Sequence, residues 1–229
     1  MTINVKEVLN KICNNEIFNN ELYFVGGTAL AYYLNHRISE DIDIASNKVL
    51  PYQQIIPNIS KLGAIKIQDE NVTALRMAGL FPDEYMIKFV LNNVKLEFFQ
   101  ANRPIQKEIL SQSSYINFEN SNLKILDIKS VSKLKIVALI MRNKSRDLFD
   151  FGSILENKVL SQNEILELFT KIDNKIKSTN DIINFIKAKK EPIDDEAVYL
   201  NENNKINLSF EEIKNQVINI LTNEPKCKT

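Results

Sequence analysis

The chain has no tryptophan, a single histidine, two cysteines and five glycines in 229 residues. With His36 as its one imidazole it cannot build a zinc site from several histidines, and a Ser-His-Asp triad is hard to assemble. Cys13 and Cys227 stand near opposite ends, without the short spacings of metal or redox pairs, so two free thiols in a reducing cytoplasm are expected. Long apolar runs are missing too. None approaches the roughly 20 residues that span a bilayer, and the opening MTINVKEVLNKICNNE does not read as a signal peptide. The expectation is a cytoplasmic protein with no membrane partner.

What is present suits a globular chain, long enough for one large domain or two small ones. Hydrophobic residues make up 44% and charged residues 25%, which excludes disorder. The net charge is zero but unevenly spread. Residues 1–126 carry 12 basic and 13 acidic side chains (−1), residues 127–190 carry 13 and 8 (+5), and residues 191–229 carry 4 and 8 (−4). The middle stretch either meets phosphates or simply solubilises a helical surface.

Val5 to Phe18 has a loose helical spacing, and Leu22 to Val25 reads as a short strand ended by Gly26-Gly27. Thr28 is placed to cap a helix running to about His36. Ile42 and Ile44 alternate with Asp41 and Asp43 in a half-buried strand, and Pro51 to Leu62 predicts a helix stopped by Gly63. Ala64 to Gln68 and Thr73 to Met77 are read as strands. In MIKFVLNNVKLEFFQ two alternating runs flank Asn92-Asn93, so a two-residue turn pairs Leu91 with Val94, Phe89 with Leu96 and Lys88 with Glu97. From Asp127 the period turns helical, through IKSVSKLKIVALIM, RDLFDFGSILE and Ile182 to Ala188. Ser161 with Glu164 and Ser209 with Glu212 read as capping boxes opening two more helices, and only AVYL hints at a further strand. The fold class is therefore α+β: a small mixed β-sheet domain in residues 1–126, then a helical bundle in residues 127–229.

The chemistry concentrates in YFVGGTALAYYLNHRISEDIDIAS, residues 23–46. A strand, two glycines and a helix start place backbone N–H groups and a positive dipole end together, which suits a phosphate, although a tight turn alone would also use Gly-Gly. On that view the corner is exposed, and Gly27→Val should weaken triphosphate binding with little loss of stability. Asp41 and Asp43, two apart on a strand, point the same way at roughly 7 Å. Two such carboxylates repel unless a cation joins them, and Mg²⁺ takes oxygen ligands of this kind. Two ions about 4 Å apart can clamp both oxygens of an in-line phosphoryl displacement. Glu97 is the candidate third acid; the hairpin register also offers it a plain salt bridge with Lys88. Read singly, the D-x-D run is equally a solvated strand face.

Taken together, the order strand, GG, helix, D-x-D strand and later carboxylate resembles the nucleotidyltransferase superfamily. FVGGTALAYYLNHRISEDIDIAS, VKLEFF and SKLKIVALIMRNKSRDLFDF are more closely similar to the AbiEii/AbiGii toxin family of nucleotidyltransferases, over about residues 21–155. The third acid is Glu97 where that family usually has Asp, and the run DLFDFGSIL stands in place of the commoner DLYxL. The resemblance implies the toxin of a bacterial toxin–antitoxin or phage-defence pair, moving a nucleotide from an NTP to an acceptor such as a tRNA end, with two Mg²⁺ (or Mn²⁺) ions. It implies that Gly26, Gly27 and Thr28 hold phosphates, that Ser39 supports the loop and that Asp41 and Asp43 bind metal. Lys135 matches the family lysine, Arg142, Arg146, Asp147 and Asp150 match its RxxxRDxxD run, and the resemblance implies that Ser39, Lys135, Arg142 and Arg146 join the nucleotide- and phosphate-binding residues. Read from the residues alone, Lys135 on an apolar helix either snorkels or faces a cleft, and Arg146 and Asp147 either cap a helix or pair across helices.

The reading is a Mg-dependent nucleotidyltransferase with NTP substrate, an RNA acceptor and a cognate antitoxin. The rivals are a small-molecule nucleotidyltransferase of the antibiotic-modifying kind and a non-catalytic NTP-binding module on the same fold.

Overall fold

The computed structural model of the chain describes residues 1–68, 72–193, 198–201, 204–205 and 208–223. The elements are α1 (Ile3–Ile12), β1 (Leu22–Val25), α2 (Gly26–Leu34), β2 (Ile42–Ser46), α3 (Tyr52–Ser60), β3 (Ile65–Ile67), α4 (Val72–Met77), β4 (Met86–Leu91), β5 (Val94–Gln100) and α5 (Pro104–Gln112). There follow β6 (Tyr115–Asn117), β7 (Lys124–Leu126), α6 (Ile128–Met141), α7 (Ser145–Glu156), α8 (Gln162–Ile172), α9 (Thr179–Ala188), β8 (Tyr199–Asn201), β9 (Asn204–Lys205) and α10 (Phe210–Asn223).

Seven strands form one mixed sheet in the order β3-β4-β5-β2-β1-β7-β6. β1 runs antiparallel to β2, and β2 runs parallel to β5. The β4–β5 hairpin is nucleated as its residues dictate. Asn92 and Asn93 take φ of 50° and 60°, the left-handed values a tight two-residue hairpin needs. The pairs Leu91 with Val94, Phe89 with Leu96 and Lys88 with Glu97 all form. The inward set Ile87, Phe89, Leu91, Val94, Leu96 and Phe98 is buried throughout. Among the described residues nothing after Leu126 joins this sheet; β8 and β9 form a separate two-stranded ribbon. The helices after Leu126 nonetheless share one buried cluster with the sheet, running from Val5 to Leu221. Both capping boxes form, Ser161 with Glu164 and Ser209 with Glu212.

Several local expectations are corrected. The first helix ends at Ile12, and Asn15 caps a separate short 3₁₀ turn, Glu16–Asn19. Thr28 does not cap: α2 begins at Gly26, so Thr28 lies inside its first turn, fully buried. Thr73 to Met77 is helical rather than extended, because Ala74, Leu75, Arg76 and Met77 are strong helix formers. Cys13 is a buried free thiol, while Cys227 lies outside the described residues. Among the described residues no helix is long and apolar enough to cross a membrane.

Candidate active site

The sheet register builds the site floor. Asp43 of β2 stands between Val25 of β1 and Glu97 of β5, and Glu97 in turn faces Lys88 of β4. Asp43 and Glu97 are thus neighbours on one face although distant in sequence. They line a cleft of about 270 Å³ whose other walls are Gly26 and Gly27 of α2, Gln106 and Leu110 of α5, and Leu134, Lys135, Ala138 and Arg142 around α6. That volume lies near the lower end of the ~300–1,000 Å³ range of small-molecule sites.

Burial, and then the charge of Glu97, push the Asp43 carboxyl up to about 6, against the opposing pull of Lys135. Asp43 keeps some surface in the cleft, but its carboxylate sits at the bottom with protein packed around it. Glu97 is held from both sides, by Lys95 Nζ at 2.8 Å and Lys88 Nζ at 3.5 Å. Asp41 lies one residue ahead of β2 and does not line the cleft, so the D-x-D pair straddles the strand start. The donor set of Asp41, Asp43 and Glu97 is all oxygen, the chemistry Mg²⁺ prefers, and a cation beside Asp43 would favour its ionised form. Among the described residues no three acids, histidines or cysteines already converge on one point, so Glu97 would exchange a lysine for such an ion.

The two glycines make room for side chains rather than only for a ligand. Gly26 has φ +80°, and a Cβ there would overlap the Asp43 carboxylate. A Cβ on Gly27 would lie 2.5 Å from Arg37 Nη2 and 3.1 Å from Ser39 Oγ. Gly27 is itself buried, so the expectation of an exposed corner that tolerates valine is overturned. The Thr28 hydroxyl bonds Ser39 Oγ at 2.8 Å and donates to the Asp41 carbonyl. Thr28 and Ser39 therefore fix the approach to β2 from behind and do not line the cleft.

The opposite wall is a buried ion network. Lys135 Nζ sits 2.9 Å from Asp147 Oδ1 and 2.8 Å from Asp150 Oδ2. Arg37 grips Asp150 with two bonds of 2.6 and 3.0 Å, and His36 Nε2 lies 2.7 Å from the same carboxylate. Arg142 forks onto Asp147 at 2.5 and 3.0 Å. Burial alone would push both aspartates up, but Lys135 with Arg37 holds Asp150 well below the usual carboxylate range, and Lys135 with Arg142 lowers Asp147. Three basic side chains, Lys135, Arg37 and Arg142, against two carboxylates leave one basic group in excess, and both Lys135 and Arg142 reach the cleft. Lys135 therefore faces a cleft instead of snorkelling, and Asp147 and Asp150 pair across helices. Arg146, half-buried in the first turn of α7, does not line the cleft.

The sequence reading gave no site role to Arg37 or to Lys95. Arg37 had a signal in the HRIS run, but its partner Asp150 is 113 residues away. Lys95, two before Glu97 on a strand, shares its face by elementary alternation.

This mixed sheet, with a glycine turn and a carboxylate strand beside a helical layer, is a nucleotidyltransferase-like fold. Residues 8–218 match the family model described as nucleotidyl transferase AbiEii toxin, type IV toxin–antitoxin system, and the chain belongs to that family of nucleotidyltransferase toxins. A relative in Aquifex aeolicus (strain VF5), itself uncharacterised, is 25% identical over 171 residues, 72% of each chain. MenT4, a nucleotidyltransferase toxin from Mycobacterium tuberculosis H37Rv, superposes with a TM-score of 0.54 at 12% identity, covering 97% of this chain and 84% of its own. A solved Helicobacter pylori protein assigned as a nucleotidyltransferase gives a TM-score of 0.52 at 17% identity, covering 96% and 92%. At these identities the two structures speak for the fold.

Proposed function

We propose that this enzyme transfers a nucleotide from an NTP to the end of an RNA, tRNA foremost, in a Mg-dependent reaction checked by a cognate antitoxin. The observation that carries the reading is the side-by-side placement of Asp43 and Glu97 on the cleft floor, facing the surplus positive charge of Lys135 and Arg142. In this reading residues 1–126 supply the reacting face and residues 127–229 supply the wall that receives the triphosphate.

The acceptor hydroxyl oxygen attacks the α-phosphorus in line; the bond from that phosphorus to the β-bridging oxygen breaks, and pyrophosphate leaves. The hydroxyl proton passes to one of the two carboxylates that line the cleft. Lys135 and Arg142 neutralise the phosphate oxygens, and the ion network keeps both in place, so catalysis is chiefly positioning and charge stabilisation. Asp41, Asp43 and Glu97 would hold Mg²⁺ or Mn²⁺, which supplies further charge neutralisation at the phosphate when bound.

An RNA acceptor suits the basic rim at the Arg142 end. Lys189 Nζ donates to the Arg142 carbonyl at 3.0 Å, and Asn143 donates to the Lys190 carbonyl, bringing the basic C-terminal end of α9 beside the cleft. Such cations meet RNA phosphates independently of sequence. Incubation with each α-labelled NTP, Mg²⁺ and total RNA is expected to label RNA, and chelation to abolish it. Label appearing on a small acceptor and never on RNA would sink the acceptor class.

A further inference from the structure

The register that pairs Asp43 with Glu97 also makes a second row two residues along the same face: Ala45 beside Phe99, and Phe99 beside Met86. Two strand residues advance roughly 7 Å, so the cleft floor has a charged row and, just beyond, an apolar row. Phe99 is half-buried, and among the described residues its ring has no aromatic partner. Above this row stand Leu110 and Leu134, with Gln106 from the first turn of α5. Gln106 is the one uncharged side chain of the lining that carries both a hydrogen-bond donor and an acceptor. Among the described residues its amide has no hydrogen-bond partner.

A flat ring between apolar walls, with one amide at its margin, the carboxylate row two strand residues away and the cations Lys135 and Arg142 in the same cleft, is the shape of a nucleotide split into base and phosphate. We propose that the Phe99–Ala45–Met86 row is the nucleobase subsite of the incoming NTP, with Phe99 as the stacking wall and Gln106 as the reader of the base edge. Stacking on Phe99 is tolerant of base identity, because every base has a π-face. Discrimination falls to Gln106, whose amide offers one donor and one acceptor side by side and so matches an edge presenting the complementary pair. The inference rests on the NTP-dependent transfer proposed above, and it adds where the base lies and what selects it.

The test is steady-state transfer of all four NTPs to RNA by the full-length chain, with Gln106→Leu and Phe99→Leu compared to the parent. Both changes keep side-chain bulk, and circular dichroism checks the fold. Gln106→Leu is expected to bring the kcat/KM ratio between best and worst NTP down by about tenfold or more, the scale of losing a buried hydrogen-bond reader. Phe99→Leu is expected to raise KM for all four NTPs alike, by about fivefold or more, the lower end of base–aromatic stacking. If the parent transfers with preference and Gln106→Leu keeps that preference, the base reader is elsewhere and the inference falls while the transferase reading stands. A parent that treats all four NTPs equally overturns the reader as well. If the variants change only the preference for the acceptor's terminal base, the row receives the acceptor and the NTP assignment is wrong. A parent that neither binds nor transfers any NTP sinks both readings together.

Discussion

Asp43 holds its proton up to about pH 6, chiefly through burial and then through Glu97. Between about pH 4 and about pH 6 the folded chain keeps a proton that the unfolded chain has released, so this group withdraws stability as pH rises through that window. Asp43→Asn should therefore raise the melting temperature of the chelator-treated protein at pH 7 and leave it nearly unchanged near pH 4. An equal gain at both pH values would point to shape and not charge. The same substitution should lower transferase activity at least about a thousandfold, since metal-assisted charge stabilisation is worth several kcal/mol. Glu97→Gln separates ligand from salt bridge. Its pairs with Lys95 and Lys88 are partly exposed and worth roughly 0.2–1 kcal/mol. If the variant loses only that in urea unfolding and keeps its activity, Glu97 is no ligand. Asp43 and Glu97 were legible singly, because alternation fixes the face of each and the Asn92-Asn93 turn fixes Glu97 opposite Lys88; that β2 lies beside β5 and makes them neighbours was not. Arg37 was not, because nothing local says that the space left by Gly27 is filled by a guanidinium.

At the scale of elements, the loop after α2 is joined to α7 through Arg37 and Asp150 behind the glycine turn. Gly27→Val drives a branched side chain into that guanidinium, whose two bonds to Asp150 leave it little freedom to move. Arg37→Met removes the bidentate partner of a fully buried Asp150 but leaves Lys135 and His36 on it, so the loss should stay below the about 3–5 kcal/mol of a stranded buried charge. Gly27→Val should destabilise by a comparable amount, and the double variant by much less than the sum, because both break one link. Urea midpoints of the four proteins decide this; additive losses would mean that Gly27 and Arg37 act separately. The hairpin was readable because one period runs unbroken through it. The stretch of α4 was not, since six mostly exposed residues carry no buried face to mark a helix.

For the whole molecule the ion network sets the acid limit. Asp147 and Asp150 titrate below ordinary aspartate, so their contribution is fully present above about pH 4 and is lost as pH falls through their lowered values. Urea midpoints should fall steeply below about pH 4, and Asp150→Asn should flatten that fall. Because these groups are buried, added salt should change the midpoint at pH 7 little. A midpoint that drops sharply with salt would place the stabilising charges on the surface instead. The change of period near residue 126 made the overall layout legible, mixed sheet first and helices after. What it hid is that the helices supply one wall of the cleft, because Lys135 on an apolar helix looks the same in sequence whether it snorkels to the surface or faces a cleft.

The link from Arg37 to Asp150 also closes late in the life of the chain. It spans 113 residues, and Lys135 pairs with Asp147 and Asp150, both later in the chain. A ribosome delivers β2 and β5 first, so Asp43 and Glu97 can pair while the cationic wall is still unmade. A nascent or truncated chain ending before Asp147 then carries Asp43 and Glu97 without the pairs that hold Lys135 and Arg142. On the function proposed above, such fragments are expected to transfer no nucleotide, so activity should appear only with the finished chain.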